Sequence, residues 1–396
     1  MNIKSIKILS RFLILMFTCY FLISCTYKPS REAFILPQPV NNIALLLPLT
    51  GAYGESGQAI RNGFLAAYYT DKQKGEILPT VNVVDTAGGN VSSLYERAIN
   101  QGATFIIGPL LSQHLEKLND FKVPTVSLNW LPDNRTYKNL YQFGLSAIDE
   151  VTQIVQQMDK KGYKNVLVIV PKNKWGAHLQ QVFMNQWQAL DKNVVGTLEF
   201  TTAKELNNDI STLLNIKHSN SNAWRLRRAT REKIRFLPRR RQDFDAIFLA
   251  ATPNMARQIV PLLRFYYVQS TPIYATASVY AGKSSSSRDR DINGVIFCDM
   301  PWMLLPNDQL PDMLSPINEQ VERLWPKNAV RYPRFYALGI DAYLIFKNFN
   351  TLGISSQQTI QGATGLLYLT NDQHIRRLLT FAQITNAQPK LINLNE

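Results

Sequence analysis

The residues equipped for chemistry are few and scattered. Four histidines are present, His114, His178, His218 and His374. None stands near another His, Cys or acid at the spacing of a metal site, so each reads as a surface or helix residue. "GKS" at 282–284 has the ending of a phosphate loop. A Walker A loop would also need glycine at position 277, which is Ala277, and a helix where a Ser/Arg-rich loop follows. Gly51, Gly54 and Gly57 are misplaced for a GxGxxG fingerprint, and Ser56 lacks the flanks of a nucleophile elbow. No carboxylate pair stands out for general acid–base work. The residue types argue against an enzyme and imply neither metal nor cofactor.

What remains is polar and aromatic side chains after apolar runs. Tyr53, Ser112, Ser127 and Asn129 form one set, and Trp175, Thr252, Asn254, Thr276 and Ser278 a second. Hydroxyls, amides and aromatic rings at the carboxyl ends of parallel strands are what a ligand in a cleft would meet. Taken singly, Ser and Thr at such positions serve equally well as caps of the next helix.

Charge is uneven. The net charge is +14, of which the first 24 residues supply three. The stretch 225–241, "RLRRATREKIRFLPRRR", holds nine basic residues and one acid, Glu232. Arg225, Arg227, Arg228, Arg231, Arg239, Arg240 and Arg241 are therefore candidates for a basic surface. Clustered cations reward phosphate neutralisation. Lipid phosphates or an anionic protein face fit an exported chain better than nucleic acid does. The plainer alternative is a solvated basic helix or loop.

These residues need a scaffold, and the apolar pattern predicts one. "NIALLLPL" (42–49) is a continuous apolar run, as in a strand buried on both faces. A helix is expected around 57–69, then strand 80–86, a helix ending at Gly102, and strands in "ATFIIGPL" and "VPTVSLNW". The pattern restarts near Tyr141 with "YQFG", a helix, "NVLVIV" (165–170), a helix, "NVVGTLEF" and a helix. After the basic stretch come "FDAIFLA" (244–250), the helix "PNMARQIVPLLRFYYV" and strand "TPIYAT". "GVIFCDM", helices near 311–324 and 334–350, and a tail close the chain. Alternating strands and helices predict an α/β fold of two lobes, each a doubly wound parallel sheet. The expected division is 42–144 plus 295–360 for lobe 1 and 145–294 plus 361–396 for lobe 2. Ligands in such sheets sit beyond the carboxyl strand ends, here the cleft between lobes.

The N-terminus reads as a removable leader. Lys4, Lys7 and Arg11 precede twelve uncharged residues, Phe12 to Ile23. A membrane span needs about 20 apolar residues, whereas twelve suit the core of a secretory signal. Leu22-Ile23-Ser24-Cys25 resembles a bacterial lipobox. It predicts a signal peptide over 1–24 and lipid on Cys25, with several acyl chains giving stable anchoring. Thr26, where an aspartate would retain such a protein in the inner membrane, favours the outer membrane facing the periplasm. Residues 26–41 read as a tether spanning about 55 Å at full extension. Of the three cysteines, Cys19 would be discarded and Cys25 acylated. Cys298 is then left with no disulfide partner.

"IALLLPLTGAYGESGQAIRNGFLAAYY" resembles the opening of type I periplasmic binding proteins. "FIIGPLLSQ", "YQFGLSAIDEV", "DFDAIFLAATPNMARQIVPLLRFYY" and "RFYALGIDAYLI…IQGATGLLYLTNDQHIRRLLTFAQ" are similar to the C-terminal domain of the LppC/LpoA-type lipoproteins, the penicillin-binding protein activators of Gram-negative outer membranes. The resemblance runs from residue 42 to about 393. It implies a lipoprotein that docks on a bifunctional class A penicillin-binding protein and stimulates its murein cross-linking. Peptidoglycan is a candidate further contact. The best-known members carry a helical-repeat domain before the two-lobe domain, where this sequence shows only the tether. The resemblance to periplasmic binding proteins offers an alternative, a receptor holding a small molecule or murein fragment in the cleft. Amino-acid receptors of this fold typically supply an acid after the last strand of the second lobe. "YATASVY" (274–280) has none.

Overall fold

The computed structural model describes residues 40–133, 135–231, 235–236, 238–354 and 358–393. The leader, Cys25 and residues 26–39 of the expected tether lie outside the described residues. The described residues form one compact unit. No described helix is long and apolar enough to cross a membrane.

Two sheets organise the body. The first takes β1 (Asn42–Leu47), β2 (Thr80–Asp85), β3 (Phe105–Ile107), β4 (Thr125–Ser127) and β5 (Leu140–Phe143). The second takes β6 (Asn165–Pro171), β7 (Asn193–Phe200), β8 (Ala246–Leu249), β9 (Ile273–Ala275) and β10 (Ile296–Asp299). The chain then returns to the first sheet with β11 (Thr359–Gln361), β12 (Leu366–Leu369) and β13 (His374–Leu378). It ends in the second with β14 (Thr380–Thr385) and β15 (Gln388–Leu391). The strand orders are β11-β12-β13-β5-β4-β3-β1-β2 and β15-β14-β10-β9-β8-β6-β7. β1 to β5 pair in parallel, as do β6 to β10, and antiparallel pairs are confined to β11–β12–β13 and to β10–β14–β15.

The helices are α1 (Gly54–Gln73), α2 (Val91–Asn100), α3 (Ser112–Leu115), α4 (Ala147–Lys160), α5 (Lys174–Gln188), α6 (Ala203–Leu213), α7 (Ile216–Thr230) and α8 (Pro253–Phe265). They continue with α9 (Pro301–Leu304), α10 (Ser315–Leu324), α11 (Pro326–Arg331), α12 (Pro333–Lys347) and α13 (Phe349–Ile354). Local chemistry sets several starts. Asn90 caps α2 by accepting from Ser92 and Ser93 N–H, and Asn173 caps α5 by accepting from Gly176 N–H. Pro253 opens α8 at a position where the missing N–H is harmless.

Each sheet is buried between helices. On the second, Leu167, Ile169, Ile247 and Leu249 pack against α6 and α8, while Val166, Val168 and Phe248 pack with α4 and α5, whose Phe183 stacks on Phe248. On the first, β1 has a near-unbroken buried run, as its composition predicts. α1 and α12 cross so closely that a Cβ on Gly63 would collide with the Tyr336 carbonyl, and one on Gly339 with the Ile60 carbonyl.

The division between lobes departs from the expected one. "GVIFCDM" was assigned to lobe 1, yet β10 pairs with β9 and β14 in the second sheet. Residues 361–378 were assigned to lobe 2, yet β12 and β13 lie in the first sheet, β13 against β5. Strand pairing decides membership, and an isolated apolar run does not reveal its partner. The chain therefore crosses between sheets after β5, after β10 and at Leu379, between β13 and β14. The strands of the C-terminal tail, β11 to β15, were also unexpected.

Candidate functional site

The carboxyl ends of both sheets meet at these crossings. Gly54 opens α1 just beyond β1, and Glu55 binds Tyr332 and Arg331 just before α12. The start of α12 is thereby placed at the cleft. From it Arg334 reaches the other lobe. Its Nη2 lies 2.5 Å from Asp299 Oδ2 and 3.3 Å from the carbonyl oxygens of Ala277 and Tyr280. Asp299 is buried at the end of β10, and burial raises its pKa against the pull of Arg334.

A second group surrounds this pair. Glu150 on α4 accepts the Ala277 N–H at 2.8 Å. Burial pushes its pKa up to about 7, with Arg377 opposing and the Asp299 charge adding. Asp149 accepts from Arg377 Nε at 3.1 Å and from Arg376 Nη1 at 3.4 Å, so α4 of the second lobe is pinned to β13 of the first. Burial still raises the Asp149 pKa against both arginines. Gln153 adds bonds to the Arg377 carbonyl and from Leu379 N–H. Arg376 also stacks on Trp130, 4.2 Å from the ring centroid, and the His374 ring meets the same indole edge-on. His374 was expected at the surface or on a helix. It is instead fully buried in β13, 3.0 Å from Asp372, and burial lowers its pKa. Among the described residues no group of three or more His, Cys, Asp or Glu side chains is placed to hold a metal ion.

The expected ligand set is only partly gathered. Ser127 spends its hydroxyl on the Asn129 carbonyl at 2.7 Å, and Ser112 donates to Glu116, just past the end of α3. Thr276 is buried and hydrogen-bonded to Ser278, which also donates to the Ala251 carbonyl. Asn254 accepts from Arg257, next to it on α8. Thr252 precedes α8 without a side-chain cap bond. Tyr53 and Trp175 remain exposed. Of the set, Asn129 alone lines the cavity of about 190 Å³ in the first-lobe wall, beside Leu128, Trp130, Phe335 and Leu338. A groove of about 600 Å³ lies outside the set, between Gly282–Lys283 and α9–α12. Arg334 and the acids it serves carried no local signal, because their partners are distant in sequence.

The basic stretch divides in two. α7 exposes Arg225, Arg227 and Arg228, and Arg231 and Arg239 are exposed beyond it. Arg241 is structural, paired with Asp243 at 2.7 Å and donating to the Val195 carbonyl at 2.7 Å. Arg240 binds the Tyr267 carbonyl and lies over Phe244. These two arginines anchor the stretch rather than extend its free surface.

Comparison with known proteins fits this architecture. The model of the family described as LppC putative lipoprotein matches residues 33–387. The chain belongs to the LppC family. Relatives named penicillin-binding protein activator LpoA include those of Vibrio antiquarius, 28% identical over 371 residues, and Vibrio cholerae, 28% over 370. Each alignment covers 90% of this chain but 60% and 59% of those relatives, so the LppC chain spans about three-fifths of their length. The C-domain of Haemophilus influenzae LpoA, described as a regulator of PBP1A, superposes with TM-score 0.68 at 23% identity, covering 89% of this chain and all of that domain. A putative branched-chain amino acid ABC transporter from Rhodospirillum rubrum gives TM-score 0.68 at 16% identity over 89% of this chain. The LppC chain thus has the two-lobe fold of type I periplasmic binding proteins.

Proposed function

We propose that this LppC protein is an outer-membrane lipoprotein, acylated at Cys25 and facing the periplasm. It docks on a bifunctional class A penicillin-binding protein and raises that enzyme's murein cross-linking, without catalysis of its own. The observation that carries this reading is the family match over nearly all of the two-lobe body, with relatives named as activators of penicillin-binding proteins. The cleft supports regulation through protein contact over solute capture. In the loop after β9, where an amino-acid receptor would place a carboxylate for its ligand, the carbonyls of Ala277 and Tyr280 already receive the protein's own cation, Arg334. The test is a murein synthesis assay in detergent with the cognate synthase. Added LppC protein is expected to bind the synthase and to increase the cross-linked fraction. The absence of both binding and stimulation would refute the proposal.

A further inference from the structure

The exposed part of the basic stretch has no role in that reading. Its place follows from strand direction. β6 to β9 begin at the end of the second lobe remote from the crossings, and residues 238–245 lead into β8 there. α8 runs toward this end and stops at Phe265. Arg239 N–H donates to Ser219 Oγ on α7 at 3.0 Å, and Arg240 Nε to the Tyr267 carbonyl at 3.0 Å. α7, the 239–241 segment and the end of α8 are therefore neighbours at this end of the lobe. Trp224, Phe265 and Tyr267 on these elements are 61%, 70% and 60% exposed. Arg228 lies over the Trp224 ring at 5.3 Å. Among the described residues no carboxylate pairs with Arg225, Arg228 or Arg239.

Large rings held in water beside unpaired guanidinium groups mark a contact surface. The combination is that of a bilayer interface, where aromatic rings settle at headgroup level and arginines meet phosphate. Neither the 190 Å³ cavity nor the 600 Å³ groove is lined by these residues.

We propose that this end of the second lobe docks on an anionic phospholipid bilayer. The chain enters the body at Val40–Asn42, where β1 begins, at the far end of the first lobe. An N-terminal lipid and this face would then contact membrane at opposite ends of the body. The inference rests on the envelope location proposed above and is independent of synthase activation.

The test uses the chain from residue 26 onward, which keeps every described element, and sedimentation with vesicles. Binding is expected to vesicles of phosphatidylcholine mixed with phosphatidylglycerol, not to phosphatidylcholine alone, and to weaken steeply with salt. An arginine near an anionic surface contributes about fivefold in affinity. The triple variant Arg225→Gln, Arg228→Gln, Arg239→Gln should therefore lose roughly a hundredfold, at an unchanged melting temperature. Equal binding to both vesicle types, or an undiminished affinity in the triple variant, would overturn the proposal. So would loss of synthase binding in that variant when neither protein binds vesicles, which would assign the face to an acidic protein surface. The cross-linking assay contains no bilayer, so failure of either proposal is distinguishable from failure of the other.

Discussion

Arg334 of the first lobe and Asp299 of the second form an ion pair at 2.5 Å, in the place where a two-lobe receptor would admit its ligand. Asp299 is 1% exposed, so its charge depends chiefly on this guanidinium and the Met300 N–H, with Arg377 adding from further away. Removing one partner of a buried pair leaves an uncompensated charge and costs about 3–5 kcal/mol. Arg334→Met should lose stability on that scale in denaturant unfolding. The double variant with Asp299→Asn should recover most of it, because no charge is then stranded. An equal loss in both would show that packing, not charge, holds the site.

Glu150 gives a pH signature. Its folded pKa of about 7 lies above the unfolded value of 4.5, so the folded state holds the proton more tightly. The sign follows from linkage: this group's contribution to stability falls as pH rises from about 4.5 to about 7 and is level above. The buried Asp341, also pushed up to about 7, acts in the same direction, whereas His374, with its lowered pKa, acts in the opposite one. Glu150→Gln keeps an acceptor for Ala277 N–H and removes the titration. Relative to wild type, the variant should gain up to roughly 3 kcal/mol between pH 5 and pH 8, read as a difference in unfolding midpoints. A constant difference across that range would refute the assignment.

The crossing of α1 and α12 sets a steric limit. Gly63→Ala and Gly339→Ala each drive a Cβ into a backbone carbonyl, which cannot rotate away. Each should cost about 1–3 kcal/mol or more. Both affect one contact, so the double variant should cost less than the sum. Chemical denaturation of the three variants checks this.

Arg241 and Arg228 separate anchoring from display. Arg241→Ala loses the Asp243 pair and the Val195 carbonyl bond, and should lower stability by about 1–2 kcal/mol. It should also make the 225–241 stretch cut faster by trypsin. Arg228→Ala, on the exposed helix face, should stay within about 0.5 kcal/mol of wild type. Equal trypsin sensitivity of the two variants would contradict the distinction.

How much was legible follows from the range of each interaction. The central strands announced themselves because burial on both faces writes a local apolar run, as in Ile43–Leu47 and Val166–Val170. Helix starts were legible at Asn173 and Pro253, where cap chemistry is local. The sheet to which β10 belongs was not, since Ile296 and Phe297 look alike whichever neighbour they bond. Arg334, Glu150 and Arg377 escaped notice for the same reason. Each is an ordinary surface-type residue until a partner far along the chain removes it from water. Ser127 and Thr276 were flagged from type and position, but type does not say whether a hydroxyl is already spent on the backbone.

Leu379 alone separates β13 from β14, and each of those strands lies inside its sheet rather than at an edge. β13 is flanked by β12 and β5, and β14 by β10 and β15. Neither lobe can therefore be completed until residues 374–391 have left the ribosome. A nascent chain lacking them has two open sheets and no finished domain. Synthesis from the N-terminus thus keeps both sheets unfinished until residues 374–391 have been made, and the two lobes reach completion together rather than in turn.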